Sequence, residues 1–132
     1  MSITPNDLLS QAKALLASSS SELECRNCIG RAYYAAFHTA KVFHASLTTH
    51  GKKPREATGI HAELAYQLSN PTISHADPRF RNSQSIGRHL SWLHDKRVKA
   101  DYRLDATITK TDAEQVVQRV ERVVVLAKWQ RP

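Results

Sequence analysis

Four glycines and five prolines in 132 residues leave little material for an all-β domain, whose many tight turns draw on both. Cysteine is scarcer still, so no disulfide framework holds the chain together. The only two lie in Cys25-Arg26-Asn27-Cys28, a spacing that serves redox pairs and half-zinc sites, but no second pair follows it. Both fall within a strong helical pattern, where free cysteine behaves as a small apolar core residue. No apolar run approaches the length of a membrane span, and no basic-then-apolar leader opens the chain, so a cytoplasmic protein with no membrane partner is expected. Acidic residues are outnumbered 12 to 19 by lysine and arginine, giving a net charge of +7. That balance favours an anionic partner such as RNA or a nucleotide.

What is present is helical periodicity. Hydrophobic content of 41% and charged content of 23% fit a globular chain, and the length fits one domain spanning 1–132. Thr4 before Pro5 opens a first helix with Leu8, Leu9, Ala12, Leu15 and Leu16 in register. It fades in the serine run 18–21, where Ser21 and Glu24 fit a capping box for the next helix. Cys25, Ile29, Ala32, Ala36, Ala40, Phe43 and Leu47 then make one continuous stripe. This predicts an unbroken second helix up to Gly51, about 28 residues and about 42 Å long.

A basic loop at 51–55 precedes a short helix from about Thr58, with Ile60, Leu64, Ala65 and Leu68 inward. Asn70 to Arg81 reads as the longest irregular stretch, mobile or given to a surface function. A fourth helix from about Ser83 turns Ile86, Leu90 and Leu93 inward, with Arg97 next on that face. Thr111 and Glu114 fit a second capping box, before the stripe Ala113, Val116, Val117, Val120, Val123, Val124 and Ala127. The three-four spacing overrules the strand preference of the valines. The expected fold is all-α: an up-and-down bundle of about five helices around a long second helix. Trp92 and Trp129 fit either packing or an interface.

Aromatic residues make up only 7% of the chain, yet three crowd into Arg31-Ala32-Tyr33-Tyr34-Ala35-Ala36-Phe37-His38. Adjacent helical residues lie about 100° apart, so one tyrosine must leave the apolar stripe. Near the end of the fourth helix comes Leu93-His94-Asp95-Lys96-Arg97-Val98-Lys99-Ala100-Asp101-Tyr102. In order, separation and the Ala-Asp-Tyr ending, these two segments resemble the HEPN family of small helical prokaryotic domains. The resemblance implies a helical bundle that dimerises. Many members are RNA-cleaving toxins or defence ribonucleases, often encoded beside a minimal nucleotidyltransferase antitoxin. It also implies chemistry without a metal or other cofactor, in which an arginine, a polar residue and a nearby histidine act on the RNA backbone.

Here Arg97 is followed by Val98, and Tyr102 stands where a histidine would fall five positions on. Arg88-His89 with His94 matches the arginine-polar-histidine spacing literally. Arg31 with His38 and Arg55 with His61 also keep the arginine-histidine interval, as chance allows among eleven arginines and seven histidines. The Ala-Asp-Tyr context places Arg97 first, with Tyr102 and His94 as candidate catalytic partners. Tyr33, Tyr34, Arg31, Arg88, Lys99 and Asp101 are candidate ligand-binding residues.

An arginine on an apolar stripe needs a partner or an anion, and Asp101 one turn later is placed to be that partner. The Arg97–Asp101 pair therefore reads equally as structural support or as part of a site. Three functions remain open: a ribonuclease toxin, a binding module that meets RNA, a nucleotide or a nucleotidyltransferase, and a structural dimerisation unit.

Overall fold

The computed structural model describes residues 3–56 and 58–128, so Trp129 lies outside the described residues. Five helices follow one another: α1 (Pro5–Ser18), α2 (Glu22–Ala45), α3 (Ile60–Ser69), α4 (Arg79–Tyr102) and α5 (Lys110–Ala127). No strand occurs among the described residues. α2 touches each of the other four helices, while α3 packs mainly on α4. The expected all-α bundle with a central second helix is what the chain forms.

Local chemistry explains most boundaries. Thr4 accepts the amide of Asp7 while the Asp7 carboxylate reaches back to the Thr4 amide, a reciprocal cap over Pro5. Ser21 accepts the Glu24 amide at the start of α2. The last helix is capped two residues earlier than its sequence predicts, by Thr109 with Asp112 rather than Thr111 with Glu114. α2 also stops short of Gly51, after 24 residues, where Ser46 folds its amide back onto the final carbonyls. Gly51 instead takes a positive φ of 82°, which suits glycine, in the loop against α3.

α4 begins four residues before Ser83. The Asp77 carboxylate accepts the Arg79 amide at 2.9 Å and pairs with the Arg79 guanidinium, so this acid opens the helix ahead of Pro78. Segment 70–78 is consequently shorter than segment 46–59, and the two are tied together by hydrogen bonds from Thr72 to Thr49 and from Gly51 to Thr72. Ile60, expected inward, is 72% exposed, because the first turn of α3 turns His61 instead onto the core residues Tyr33 and Phe37.

The core follows the stripes. Ile29, Ala32, Ala36, Ala40, Leu90, Leu93, Val116, Val120 and Val123 are all buried. Ala32, Ala35, Ala36 and Ala40 of α2 are covered by neighbours within the same chain, so this stripe offers no face to a second copy. Cys25 and Cys28 are buried free thiols, and the Cys28 thiol donates to the Ala12 carbonyl at 3.2 Å. Gly87 is required for packing: a Cβ there would stand 2.8 Å from the Ala65 carbonyl of α3.

Candidate functional site

Arg26 anchors the part of the chain that carries the site. Its guanidinium is buried, pairs with Glu22 at 2.8 Å, and donates to the carbonyls of Lys99, Ala100 and Arg103 and to that of Ala106. Glu22 in turn accepts the Ile108 amide. A positive charge thus satisfies the open carbonyls at the C-terminal end of α4, where helix dipole and unpaired acceptors both favour it. That clamp fixes the turn holding Asp101 and Tyr102. Sequence reading passed over Arg26, although Glu22 and Arg26 stand four apart on one helix face.

Arg97 lies one turn inside this end, its side chain 14% exposed. Its Nη2 donates to the Tyr34 hydroxyl at 3.0 Å, and its Nε stands 3.0 Å from Asp101 Oδ2. The second approach brings the charges together without hydrogen-bond alignment. Among the described residues, Arg97 Nε is the one buried side-chain nitrogen or oxygen left without a hydrogen bond. The guanidinium carbon sits 5.5 Å from the Tyr34 ring centre and 5.3 Å from that of Tyr102. Burial opposes its charge, but Tyr34, Tyr102 and Asp101 outweigh burial and hold the guanidinium above its ordinary value. Arg97 stays charged and fixed.

Tyr34 is the tyrosine that leaves the core. With Gln11, Leu15, Asn27, Gly30, Arg31 and Asp101 it lines a groove of about 460 Å³ between α1, α2 and the end of α4. Tyr33 is completely buried and forms no wall of that groove. Its ring instead meets Tyr34 on one side and His61 and His94 on the other, at centre distances of 5.8, 5.5 and 5.7 Å. Its hydroxyl lies 2.6 Å from His61 Nδ1. Burial and the neighbouring charges of His94, Arg97 and His38 hold His61 below its ordinary value. His61 appeared in the sequence only as a chance arginine-histidine interval; nothing local marked its meeting with Tyr33.

The structure places Arg31, Tyr34 and Asp101 on one groove, with Arg97 held against Tyr34, Asp101 and the exposed Tyr102 without itself lining that groove. His94 faces a second groove of about 290 Å³ between α3 and α4, shared with His61. Lys99 faces a third with Trp92 and Lys96, and Arg88 is exposed earlier on α4. Lys99 and Arg88 therefore stand apart from the Arg97 groove. No three or more His, Cys, Asp or Glu residues cluster to hold a metal among the described residues. No described helix is long and apolar enough to cross a membrane.

A five-helix bundle with a tyrosine pair on its central helix and a fixed arginine before Ala-Asp-Tyr defines a recognisable class. Residues 5–129 match the HEPN domain, and the chain belongs to the HEPN family. No curated protein and no solved structure matched it.

Proposed function

We propose that this HEPN domain binds RNA or a nucleotide through the Arg97 groove, as part of a toxin-antitoxin or defence system. One observation carries the reading. A charged guanidinium is fixed against two tyrosine rings and beside Asp101, and its partners Tyr34 and Asp101 line a polar groove together with Arg31, Asn27 and Gln11. A preorganised cation of this kind spends little entropy when it meets a phosphate. Asp101 balances the charge of Arg97, its carboxylate 3.0 Å from a buried Nε. Pairing of two copies and a nucleotidyltransferase antitoxin as partner complete the proposal, by family membership.

A second reading, metal-independent cleavage of RNA, is favoured by His94 one turn before Arg97 on α4. An imidazole there would take the proton from a 2′-hydroxyl attacking the adjacent phosphate, the P–O5′ bond breaking as the departing 5′-oxygen takes a proton from water, which leaves a 2′,3′-cyclic phosphate. Arg97 would stabilise the charge on the phosphorane.

The test is RNA binding and cleavage by the wild type and Arg97→Ala, with the helical content of each checked by circular dichroism. Binding that Arg97→Ala abolishes in a folded protein supports the module. Cleavage in the presence of a chelator, with cyclic phosphate ends, supports the ribonuclease. Unchanged RNA binding by folded Arg97→Ala sinks both. Sedimentation at tens of micromolar checks the proposed pairing.

A further inference from the structure

Trp92 on α4 gathers positive charge on a face that the Arg97 groove does not use. The Arg119 guanidinium of α5 lies 4.2 Å from the centre of its ring, and the Lys96 ammonium lies 5.0 Å from it. An indole holds such cations by its quadrupole and limits their motion. Arg119 also donates to His89 Nδ1 at 3.4 Å. A guanidinium has no acceptor, so His89 accepts there and is neutral, with its hydrogen on Nε2. Burial, then Arg119 and Arg122, disfavour a second proton on it.

Trp92 and Lys96 also line, with Lys99 and Arg103, a groove of about 730 Å³. Arg119 and Arg122 stand beside it on α5, next to Trp92 and His89, without lining it. Among the described residues, none of Lys96, Lys99, Arg103, Arg119 and Arg122 forms an ion pair. Residue order explains part of this. Gln115 and Val123 stand one turn before and after Arg119, and Gln118 stands one turn before Arg122. Glu121 turns the other way, to Lys13 at 3.6 Å. Asp95 lines the groove, and Asp112 is held below its ordinary value first by the Thr109 amide and least by Lys96 and Lys99. Neither acid closes an ion pair with these cations.

Such a surface attracts an anion, and its length and polarity narrow the kind. Trp92 to Arg103 covers about 16 Å along α4, too far for one small anion to span. Val98 is the single aliphatic side chain lining the groove, so the face lacks the apolar centre of a protein interface. A row of unpaired lysines and arginines with little apolar surface matches the successive phosphates of a nucleic-acid strand. We infer that the α4–α5 face around Trp92 carries a nucleic-acid strand by its phosphate backbone. The inference goes beyond the Arg97 groove, and its ligand follows from the charge and polarity of this face alone.

The test is fluorescence anisotropy of short labelled strands on the full chain across a salt series, using oligouridylate, oligoadenylate and oligothymidylate. Lys99→Gln and Arg122→Gln each remove a charge that has no ion pair to lose. Each should lower the slope of log K against log salt by about 0.7 and weaken binding about fivefold at about 0.1 M salt. Arg122→Lys keeps the charge and should bind within about twofold of wild type. Equal losses on all three strands support the backbone whatever the sugar, and losses on both ribose strands alone support it for RNA.

Unchanged slopes in both glutamine variants overturn the inference, as do losses that differ between oligouridylate and oligoadenylate. If Arg122→Lys fails like Arg122→Gln in a folded protein, charge is not what acts and the inference falls. If polyglutamate binds as tightly and suffers the same losses, the face takes acidic protein and the nucleic-acid assignment falls. If strand binding, or binding of a mononucleotide alone, depends on Arg97 but not on Lys99 or Arg122, this face falls while the Arg97 groove stands. If the wild type binds neither strand nor mononucleotide, both fall.

Discussion

Arg97 Nε approaches the Asp101 carboxylate to 3.0 Å without forming a hydrogen bond, while Nη2 of the same guanidinium donates to Tyr34. The pair neutralises charge but leaves the buried Nε without an aligned hydrogen bond. A purely structural pair would be expected to align both groups. Asp101→Asn should therefore leave a folded protein that binds RNA at least as tightly as wild type, since it removes the competing carboxylate. Arg97→Lys should lose most of the binding, because a lysine cannot lie flat between the Tyr34 and Tyr102 rings and still reach the Tyr34 hydroxyl. Fluorescence anisotropy of a labelled oligoribonucleotide reads both; weaker binding by Asp101→Asn would mean that the carboxylate itself contacts the ligand.

Arg26 should matter for stability more than any surface charge. Its loss strips four carbonyls at the end of α4 and the following loop of their donor and leaves Glu22 unpaired. Arg26→Ala is expected to cost about 2–4 kcal/mol, by the scale for breaking a buried charged network. Arg26→Lys should recover little, having three donors at one point where the site uses a planar fork. Urea unfolding measures both variants.

At Gly87, alanine improves intrinsic helix propensity by about 1 kcal/mol. The added methyl would stand 2.6 Å from the Ser69 amide and 2.8 Å from the Ala65 carbonyl, both backbone atoms that cannot swing aside. Gly87→Ala should nonetheless destabilise, by about 1–3 kcal/mol, by forcing α3 off α4. A melting temperature equal to or above wild type would show that the two helices slide apart freely.

His61 and His89 are both held below their ordinary value of 6.5, each first by burial, then by cations: His94, Arg97 and His38 around the former, Arg119 and Arg122 around the latter. The unfolded chain therefore takes up protons on these rings before the folded one does. Their effect is fully favourable above about pH 6.5 and is lost as pH falls from there through their depressed values. Urea midpoints should drop between pH 7 and 5, and His61→Gln should flatten part of that slope. A slope unchanged in His61→Gln would show that His61 titrates alike in both states.

Cys28 is wholly buried, and burial followed by the nearby Cys25 pushes its thiol up to about 11. Only the thiolate is nucleophilic, so the folded protein should resist alkylation at Cys28 until it unfolds. Mass spectrometry after iodoacetamide in native buffer and in urea makes the comparison; rapid native labelling would point to opening between α1 and α2.

Which helices form was readable from residue order because apolar spacing acts locally. The stripes of α2 and α5 describe their buried faces almost residue for residue. Helix ends were less legible where a cap comes from outside the stripe. Asp77 before Pro78 marks the start of α4, and Thr109 starts α5 because its side chain and that of Asp112 satisfy each other across one turn. Competing boxes two residues apart look equivalent until the backbone chooses. Ile60 looked like a core residue because spacing reports a helical face and not whether anything covers it.

Chain order by itself determined an all-α bundle, a long central helix, an arginine on a buried stripe and one tyrosine turned away from the core, since each follows from a 100° step along a helix. Tertiary structure alone decided which tyrosine that was. It also decided that Arg26 would hold the end of α4 from 73 to 80 residues away, and that Tyr33 would meet His61 28 residues on. Such contacts depend on how helices are laid against one another. Packing of whole faces sets that, and no local spacing encodes it.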